Sequence, residues 1–184
     1  MKNVTFMGTG YVGLVSGTGI SDFGHKVTCY DISGEKIKSL KKGNIPIYEP
    51  GLAELIKKNT DVGRLSFSND PEVAIKDADV IFIAVGTPMG KDGKADLKYV
   101  ESAARTIGKY LNSYTVICTK STVPIGSGKK IINILNKSKN DNATFDYISN
   151  PEFLREGSAL NDFLWPDRVV IGGSSKKSFD IMKE

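Results

Sequence analysis

The sequence predicts an α/β fold, with a doubly wound, mostly parallel sheet and helices on both of its faces. Segments typical of strands alternate with segments typical of helices along all 184 residues. The strand segments are continuous apolar runs, as expected when both faces of a sheet are covered. A glycine-rich turn also follows the first strand and opens the first helix. Together these observations indicate a Rossmann-type arrangement, which we expect to occupy residues 1–184 as one domain.

The chain begins with a predicted buried strand at residues 3–8. A helix of small residues follows at 9–24 and can pack closely on a sheet. Residues 25–32 are apolar and β-branched enough for a second strand. Residues 33–43 form a lysine-rich surface helix, which we expect to stop at its terminal glycine.

After a loop, the next helix is predicted to begin behind Pro50. Residues 63–70 are a predicted strand, and residues 71–78 a short helix with proline at its first position. The apolar run at residues 79–88 predicts a buried strand that ends in a Gly-Thr-Pro turn.

The second half of the chain continues the alternation. Residues 95–111 predict an amphipathic helix whose apolar face carries Leu97, Val100, Ala104 and Ile107. The remaining predicted elements are a strand at 114–124, a helix at 126–138, a strand at 144–151, a helical start at 152–160, a last strand at 167–173 and the start of a helix at 174–184.

The composition excludes several classes of function. The net charge of +4 comes from scattered lysines without an aromatic-interleaved basic stripe, which argues against nucleic-acid binding. No apolar run reaches the ~20 residues that span a bilayer, and the N-terminus does not resemble a signal peptide. With one histidine, two cysteines and no C-x-x-C motif, we expect no metal site. We therefore expect a cytoplasmic protein without membrane or nucleic-acid partners.

Three glycines, Gly8, Gly10 and Gly13, follow the first predicted strand with G-x-G-x-x-G spacing. In a dinucleotide site they permit a tight turn, the approach of a pyrophosphate and close packing of helix on strand, respectively. Asp31 ends the next strand, where a carboxylate accepts hydrogen bonds from a ribose 2′-hydroxyl and repels a 2′-phosphate. The pattern predicts NAD, although Lys36 could tolerate a phosphate. The alternative is a glycine-rich turn that binds no dinucleotide.

Three further predicted strands end in small, polar or turn-forming residues, at 84–88, 120–124 and 149–153. Ligands of open parallel sheets lie beyond the carboxyl ends of the strands. These three ends could therefore line the nicotinamide half of a cofactor site. For Thr87 and Thr122 taken singly, helix capping is the alternative.

Several longer motifs carry a resemblance to a known family. They are "GTGYVGL", "YEPGL", "VGTP" followed by "DGKADL", "KSTVPIG" and "NPEFLREGSALNDFLWPDRVVIG". On these residues the chain resembles the N-terminal half of the nucleotide-sugar 6-dehydrogenases, over essentially its whole length. The final motif looks more like the enzymes that act on UDP-glucose than those that act on GDP-mannose.

The resemblance implies oxidation of the C6 alcohol of a UDP-sugar to a carboxylate, with two NAD and a cysteine thioester that water hydrolyses. Thr122 and Glu152 resemble the pair near that water, and Glu156 resembles a residue on the nicotinamide side. The catalytic candidates are therefore Thr122, Glu152 and Glu156. The candidates for contact with the substrate are Glu152, Phe153, Leu154, Arg155 and Glu156. The cofactor candidates are Gly8, Gly10, Tyr11, Val12, Gly13, Asp31, Lys36, Gly86, Thr87, Pro88, Ser121, Thr122 and Glu156.

The spacing of Glu152 and Glu156 predicts that both lie on one face of a helical turn. A carboxylate in this position could activate water for thioester hydrolysis. The structural alternative is a capping acid beside a surface acid. Arg155 and Arg168 could likewise form ion pairs with a neighbouring aspartate, Asp162 or Asp167, and for Arg168 we expect that role.

The family's nucleophilic cysteine lies in a glycine-rich motif of the GGSCFPKD type, which these residues do not contain. Cys29 and Cys118 lie within apolar strand segments, and we expect them to be buried packing residues. The resemblance thus implies an NAD half with water-activating residues, inactive alone, whose parent oxidises UDP-glucose as a homodimer.

Two alternatives stay open at this point. The substrate could be UDP-N-acetylmannosamine, UDP-N-acetylglucosamine or GDP-mannose. The chain could also be an NAD-binding module without catalysis. A short-chain or 3-hydroxyacyl-type dehydrogenase is disfavoured, because no Tyr-x-x-x-Lys pair occurs and His25 is poorly placed as a general base.

Overall fold

The computed structural model describes residues 1–184, in which six strands alternate with eight helices. The strands are β1 (Asn3–Met7), β2 (Lys26–Tyr30), β3 (Leu65–Ser68), β4 (Val80–Ile83), β5 (Tyr114–Thr119) and β6 (Thr144–Ser149). The helices are α1 (Tyr11–Asp22), α2 (Gly34–Lys41), α3 (Leu52–Asp61), α4 (Pro71–Ile75), α5 (Lys98–Tyr110), α6 (Ser127–Ser138), α7 (Ala159–Leu164) and α8 (Lys176–Lys183).

All six strands pair in parallel in one sheet with the order β3-β2-β1-β4-β5-β6. The order reverses between β1 and β4, because the chain first builds outward through β2 and β3 and then outward on the other side. Such a switch point opens a crevice at the carboxyl ends of the two central strands. The predicted doubly wound α/β fold is confirmed.

The two faces of the sheet pack against different helices, because successive side chains of a strand point to opposite sides. Val80 and Phe82 join the core beneath α1, α2, α3 and α7, where Phe82 stacks on Phe6 at 4.7 Å between ring centroids. Ile81 and Ile83 join the core beneath α4, α5 and α6. Burial on both faces explains why β4 is apolar without alternation.

Helix α1 packs unusually close to its neighbours, as its small residues predict. A Cβ atom added at Gly17 would lie 2.7 Å from the Cys29 Sγ, and one added at Gly19 would lie 2.3 Å from the Phe163 ring. These glycines therefore bring α1 close to strand β2 on one side and to α7 on another.

Local sequence signals set several helix starts. The Ser33 side chain caps α2 by accepting a hydrogen bond from the Lys36 amide. The Asp70 side chain caps α4, which has Pro71 at its first position. Both capping residues satisfy amides that have no partner within the helix.

Two predicted elements are wrong. Residues 167–173 do not form a strand, and only an antiparallel bridge joins Gly172 to Ser149. Val169 and Val170 are exposed, so this β-branched run has no neighbouring strand to pair with. The helical start at 152–160 is also absent, because residues 151–155 are irregular and α7 begins only at Ala159.

None of the eight helices combines the length and the apolar character needed to cross a bilayer.

Candidate functional site

The glycine turn lies between β1 and α1, at the carboxyl edge of the sheet. Gly8 has a φ of +114°, and a Cβ there would lie 2.7 Å from the Ala84 carbonyl oxygen. A Cβ at Gly13 would lie 2.0 Å from the Gly8 carbonyl oxygen. Both positions therefore require glycine for steric reasons, as the spacing predicts.

Gly10 differs from its two neighbours, because a Cβ added there would meet no atom within 4 Å. Its own backbone is extended, with a φ of −78°, so conformation does not demand glycine either. Gly10 immediately precedes α1, and no side chain caps that helix. The turn thus leaves open space over the uncapped N-terminus of a twelve-residue helix, which suits a pyrophosphate.

Asp31 follows β2 and reaches across to the glycine turn. Its Oδ2 accepts hydrogen bonds from the Thr9 amide at 3.0 Å and the Thr9 hydroxyl at 2.7 Å, and its Oδ1 accepts one from the Ser33 amide at 3.0 Å. The Lys36 ammonium lies 3.8 Å away. Burial alone would raise the pKa of Asp31, but the hydrogen bonds and the Lys36 charge hold it below its ordinary value. Asp31 is thus an ionised acceptor beside the turn.

The ends of β4 and β5 are joined by side-chain hydroxyls. The Ser121 hydroxyl donates to the Val85 carbonyl at 2.7 Å, and the Thr87 hydroxyl donates to the Thr122 carbonyl at 3.0 Å. The Thr122 side chain itself is exposed. The structure therefore brings the predicted residues of both loops together, with Ser121 and Thr87 also fixing the loops to one another.

Glu152 follows β6 and is held locally. Its Oε2 accepts a hydrogen bond from the Leu154 amide at 2.6 Å, while Phe153 between them is exposed. The backbone here is not helical, so the prediction that Glu152 and Glu156 share one face of a helical turn is wrong. A helix would use the backbone amides of these residues for its own hydrogen bonds. The Arg155 amide instead donates to the Asp162 carboxylate.

Arg155 forms a two-pronged ion pair with Asp162, at 2.7 Å and 3.0 Å between nitrogen and oxygen atoms. That pairing is the structural alternative that the sequence left open. Arg168 does not form the expected ion pair with an aspartate. Its guanidinium instead lies over the Phe153 ring, 5.6 Å from the centroid.

Glu49, in the loop before α3, is a residue that the sequence reasoning missed. It is only 5% exposed, and its Oε2 accepts a hydrogen bond from the Tyr11 hydroxyl. The same carboxylate accepts hydrogen bonds from the Gly157 amide at 2.9 Å and the Leu160 amide at 3.2 Å. The "YEPGL" motif contributes only to the resemblance, because an irregular loop carries no local pattern that predicts this long-range role.

Lys120 and Asn150 lie in two of the predicted strand ends, 120–124 and 149–153, but the sequence reasoning does not single them out as site residues. The Lys120 side chain is 8% exposed, and its ammonium donates to the Asn150 side-chain oxygen at 3.2 Å. Burial lowers the pKa of Lys120. Both residues line a cavity of about 340 Å³ that also reaches Glu152 and Phe153 but does not include the glycine turn. A lysine directly after a buried strand was the available signal.

Both cysteines are fully buried, Cys29 in β2 and Cys118 in β5. Burial raises the pKa of the Cys29 thiol to about 12 and also raises that of Cys118. Neither can present a thiolate to a ligand, which supports their interpretation as packing residues. No three histidine, cysteine, aspartate or glutamate side chains gather closely enough to hold a metal ion.

The sequence model of the UDP-glucose/GDP-mannose dehydrogenase family, NAD binding domain, matches residues 2–184. The chain belongs to this family. The predicted resemblance is confirmed, and so is NAD as the cofactor. Which residues contact the cofactor stays a prediction that the steric arrangement of the glycine turn supports.

The names of similar proteins agree with this family assignment. The chain is 55% identical over 184 residues to UDP-glucose 6-dehydrogenase TuaD from Bacillus subtilis, covering 100% of this chain and 40% of that protein. It is 51% identical over 184 residues to UDP-glucose 6-dehydrogenase from Rhizobium meliloti, covering 98% of this chain and 42% of that protein. The chain therefore spans less than half the length of these relatives.

Two solved structures share the fold closely. A UDP-glucose dehydrogenase from Pyrobaculum islandicum superposes with a TM-score of 0.95 at 41% identity, covering 99% of this chain and 43% of that one. A GDP-mannose dehydrogenase from Pseudomonas aeruginosa superposes with a TM-score of 0.94 at 36% identity, covering 100% of this chain and 43% of that one.

Proposed function

We propose that this chain is the NAD-binding domain, residues 1–184, of a UDP-glucose 6-dehydrogenase. The reaction converts the C6 alcohol of UDP-glucose and one water into a carboxylate, while two NAD are reduced to NADH and three protons are released. The observation that carries the proposal is that the predicted cofactor and substrate residues lie at the same edge of the sheet. The glycine turn and the segment at residues 150–157 lie beside each other, where the Tyr11 hydroxyl contacts the Gly157 amide at 2.9 Å.

The cofactor half of the site follows from the turn. The open backbone at Gly10 and the N-terminus of α1 would hold the pyrophosphate of NAD, and Asp31 would accept hydrogen bonds from the adenosine ribose. NAD supplies the hydride acceptor when it is bound. Its nicotinamide end would extend toward Thr87, Thr122 and Glu156, since those residues follow β4, β5 and β6 at the same edge.

The substrate half is built from the residues after β6. Glu152 is held by the Leu154 amide through Oε2 only, so Oε1 is available to orient a water molecule. Exposed Phe153 and Arg155 would contact the sugar nucleotide. The nucleophile must come from outside these 184 residues, because Cys29 and Cys118 are buried and their thiol pKa values are raised.

UDP-glucose is favoured over other nucleotide sugars because the curated relatives at 46–55% identity are named as UDP-glucose 6-dehydrogenases. A GDP-sugar is the second candidate, favoured by the structural match to the GDP-mannose enzyme. We further propose a homodimer for the whole enzyme. A cytoplasmic setting is supported by two free thiols with no disulfide.

Calorimetric titration of the chain with NAD, NADP, UDP-glucose and GDP-mannose tests the proposal. We expect NAD to bind, NADP to bind more weakly because Asp31 repels a 2′-phosphate, and neither sugar nucleotide to be oxidised by this chain alone. Absence of NAD binding by a chain whose circular dichroism shows a cooperative melt would contradict the proposal. Equal binding of NAD and NADP would remove the assigned role of Asp31.

A further inference from the structure

Glu49 connects three parts of the chain that are far apart in sequence. The carboxylate belongs to the loop before α3, the Tyr11 hydroxyl belongs to the first residue of α1, and the Gly157 and Leu160 amides belong to the segment after β6. The contacts with Gly157 and Leu160 span 108 and 111 residues. No local turn or helix accounts for them, so the carboxylate acts as a tertiary clamp.

The clamp replaces the missing cap of α7. Ser158 precedes that helix but makes no side-chain capping hydrogen bond. The Glu49 carboxylate instead accepts a hydrogen bond from the Leu160 amide, which is one of the first amides of the helix. A negative charge is favourable at this end of a helix. Because Glu49 is buried, each of these charge-assisted hydrogen bonds is shielded from water. Glu49 therefore holds the backbone amides of both Gly157 and Leu160.

Tyr11 carries the connection to the glycine turn. Its hydroxyl donates to Glu49 and accepts a hydrogen bond from the Gly157 amide at 2.9 Å. It also lies 3.4 Å from the Arg155 carbonyl oxygen. Burial and the hydrogen bond to Glu49 raise the pKa of Tyr11 to about 12, so the phenol keeps its proton. Because Tyr11 is the first residue of α1, its hydroxyl links the glycine turn to the segment after β6.

We propose that Glu49 is a positioning residue that fixes residues 155–160 to the glycine turn through Tyr11, so that NAD binding at the turn orders the segment that receives the sugar nucleotide. The inference rests on the proposed function for the identity of the two ligands. The clamp itself is a property of the chain without ligands. The two can therefore be tested separately.

The first experiment measures amide hydrogen exchange at Gly157 and Leu160 by NMR, without cofactor. Glu49→Gln removes the charge and keeps the shape, and we expect exchange at both amides to accelerate by about tenfold or more. Glu54→Gln is the matched control, because Glu54 is an exposed acid on α3. Exchange in Glu49→Gln equal to that in the control would overturn the inference.

The second experiment repeats the measurement with saturating NAD. In the unmodified chain NAD should slow exchange at Gly157 and Leu160. Tyr11→Phe should keep most of the protection at Leu160 without cofactor, since Glu49 still holds that amide, but should lose the response to NAD. A full response in Tyr11→Phe would refute the coupling. If Glu49 only stabilised the fold, NAD would slow exchange equally in the unmodified chain, in Glu49→Gln and in Tyr11→Phe.

The failures remain distinguishable. If the unmodified chain does not bind NAD, the proposed function fails, and the first experiment alone decides whether Glu49 is the clamp. If Glu49→Gln does not fold, Glu49→Asp replaces it, because the shorter side chain keeps the charge but cannot reach both amides. Its expected result is the same acceleration, and unchanged exchange would again count against the clamp.

Discussion

Replacing Gly13 with alanine tests the packing of the glycine turn most directly. The new Cβ would lie 2.0 Å from the Gly8 carbonyl oxygen and 3.1 Å from its carbonyl carbon. Real Cβ contacts are essentially never shorter than 3.0 Å, so the turn would have to open by about 1 Å. Both partners are backbone atoms, which cannot rotate away as a side chain can.

The cost can be estimated from two opposing effects. Overpacking of this kind costs ~1–3 kcal/mol, and we expect the upper end because the contact is with backbone. Alanine recovers about 1 kcal/mol of helix propensity, since position 13 lies within α1. The net loss of about 2 kcal/mol corresponds to a fall in Tm of roughly 4–8 °C for a domain of this size.

Gly10→Ala is the matched control, because its Cβ would meet no protein atom within 4 Å. The substitution should lower the stability of the fold by only ~0.5–1 kcal/mol, because alanine is a poorer N-cap residue than glycine. Its Cβ would nevertheless occupy the space through which a pyrophosphate approaches the backbone, so NAD affinity should fall by about tenfold or more. Thermal melts and calorimetric titrations measure both effects. A Gly13→Ala chain as stable as the parent, or a Gly10→Ala chain that binds NAD normally, would refute this account of the turn.

Three further predictions follow from the same structure. Asp31→Asn should weaken NAD binding and reduce the preference over NADP in parallel titrations. Since the folded pKa of Asp31 is depressed, its stabilisation is complete above its ordinary pKa and is lost as pH falls through the folded value; the variant should therefore lose less Tm than the parent between about pH 6 and pH 3. Cys29 and Cys118 should react with a thiol reagent near pH 8 only after urea unfolding, because burial raises both pKa values; rapid labelling of the folded chain would contradict their burial. A double-mutant cycle on Arg155 and Asp162 should give a weak coupling that declines with salt, and a salt-independent coupling would argue against a solvent-exposed pair.

The sequence predicted the parts of the fold that depend on local patterns. Patterns of apolar and β-branched residues identified all six strands, and the glycine spacing located the turn between β1 and α1. Asp31 could be assigned because its relation to the turn depends only on the adjacent strands β1 and β2. In each case, residues close in sequence determine the outcome, so composition and spacing were sufficient.

The incorrect predictions concern residues whose structure depends on contacts with residues far away in the sequence. Residues 167–173 have strand composition, but a strand also requires a partner edge, and only Gly172 finds one. Residues 152–160 contain good helix formers, but their amides are taken by Asp162 and Glu49, and Gly157 adopts a φ of +84°. Arg168 was assigned an aspartate on charge alone, whereas an aromatic face was the available neighbour.

This difference in sequence distance has a consequence for motion at the proposed site. Asp31 and Thr9 lie 22 residues apart, whereas Glu49 and Gly157 lie 108 apart and Tyr11 and Gly157 lie 146 apart. The cofactor half is thus anchored within one strand–helix–strand unit of the central sheet, while the segment after β6 depends on a few polar contacts. A region held by few contacts opens at a lower free energy than the core. Native-state hydrogen exchange in low urea should therefore show residues 155–160 opening before the amides of β1, and simultaneous opening would mean that the segment belongs to the same cooperative unit as the sheet.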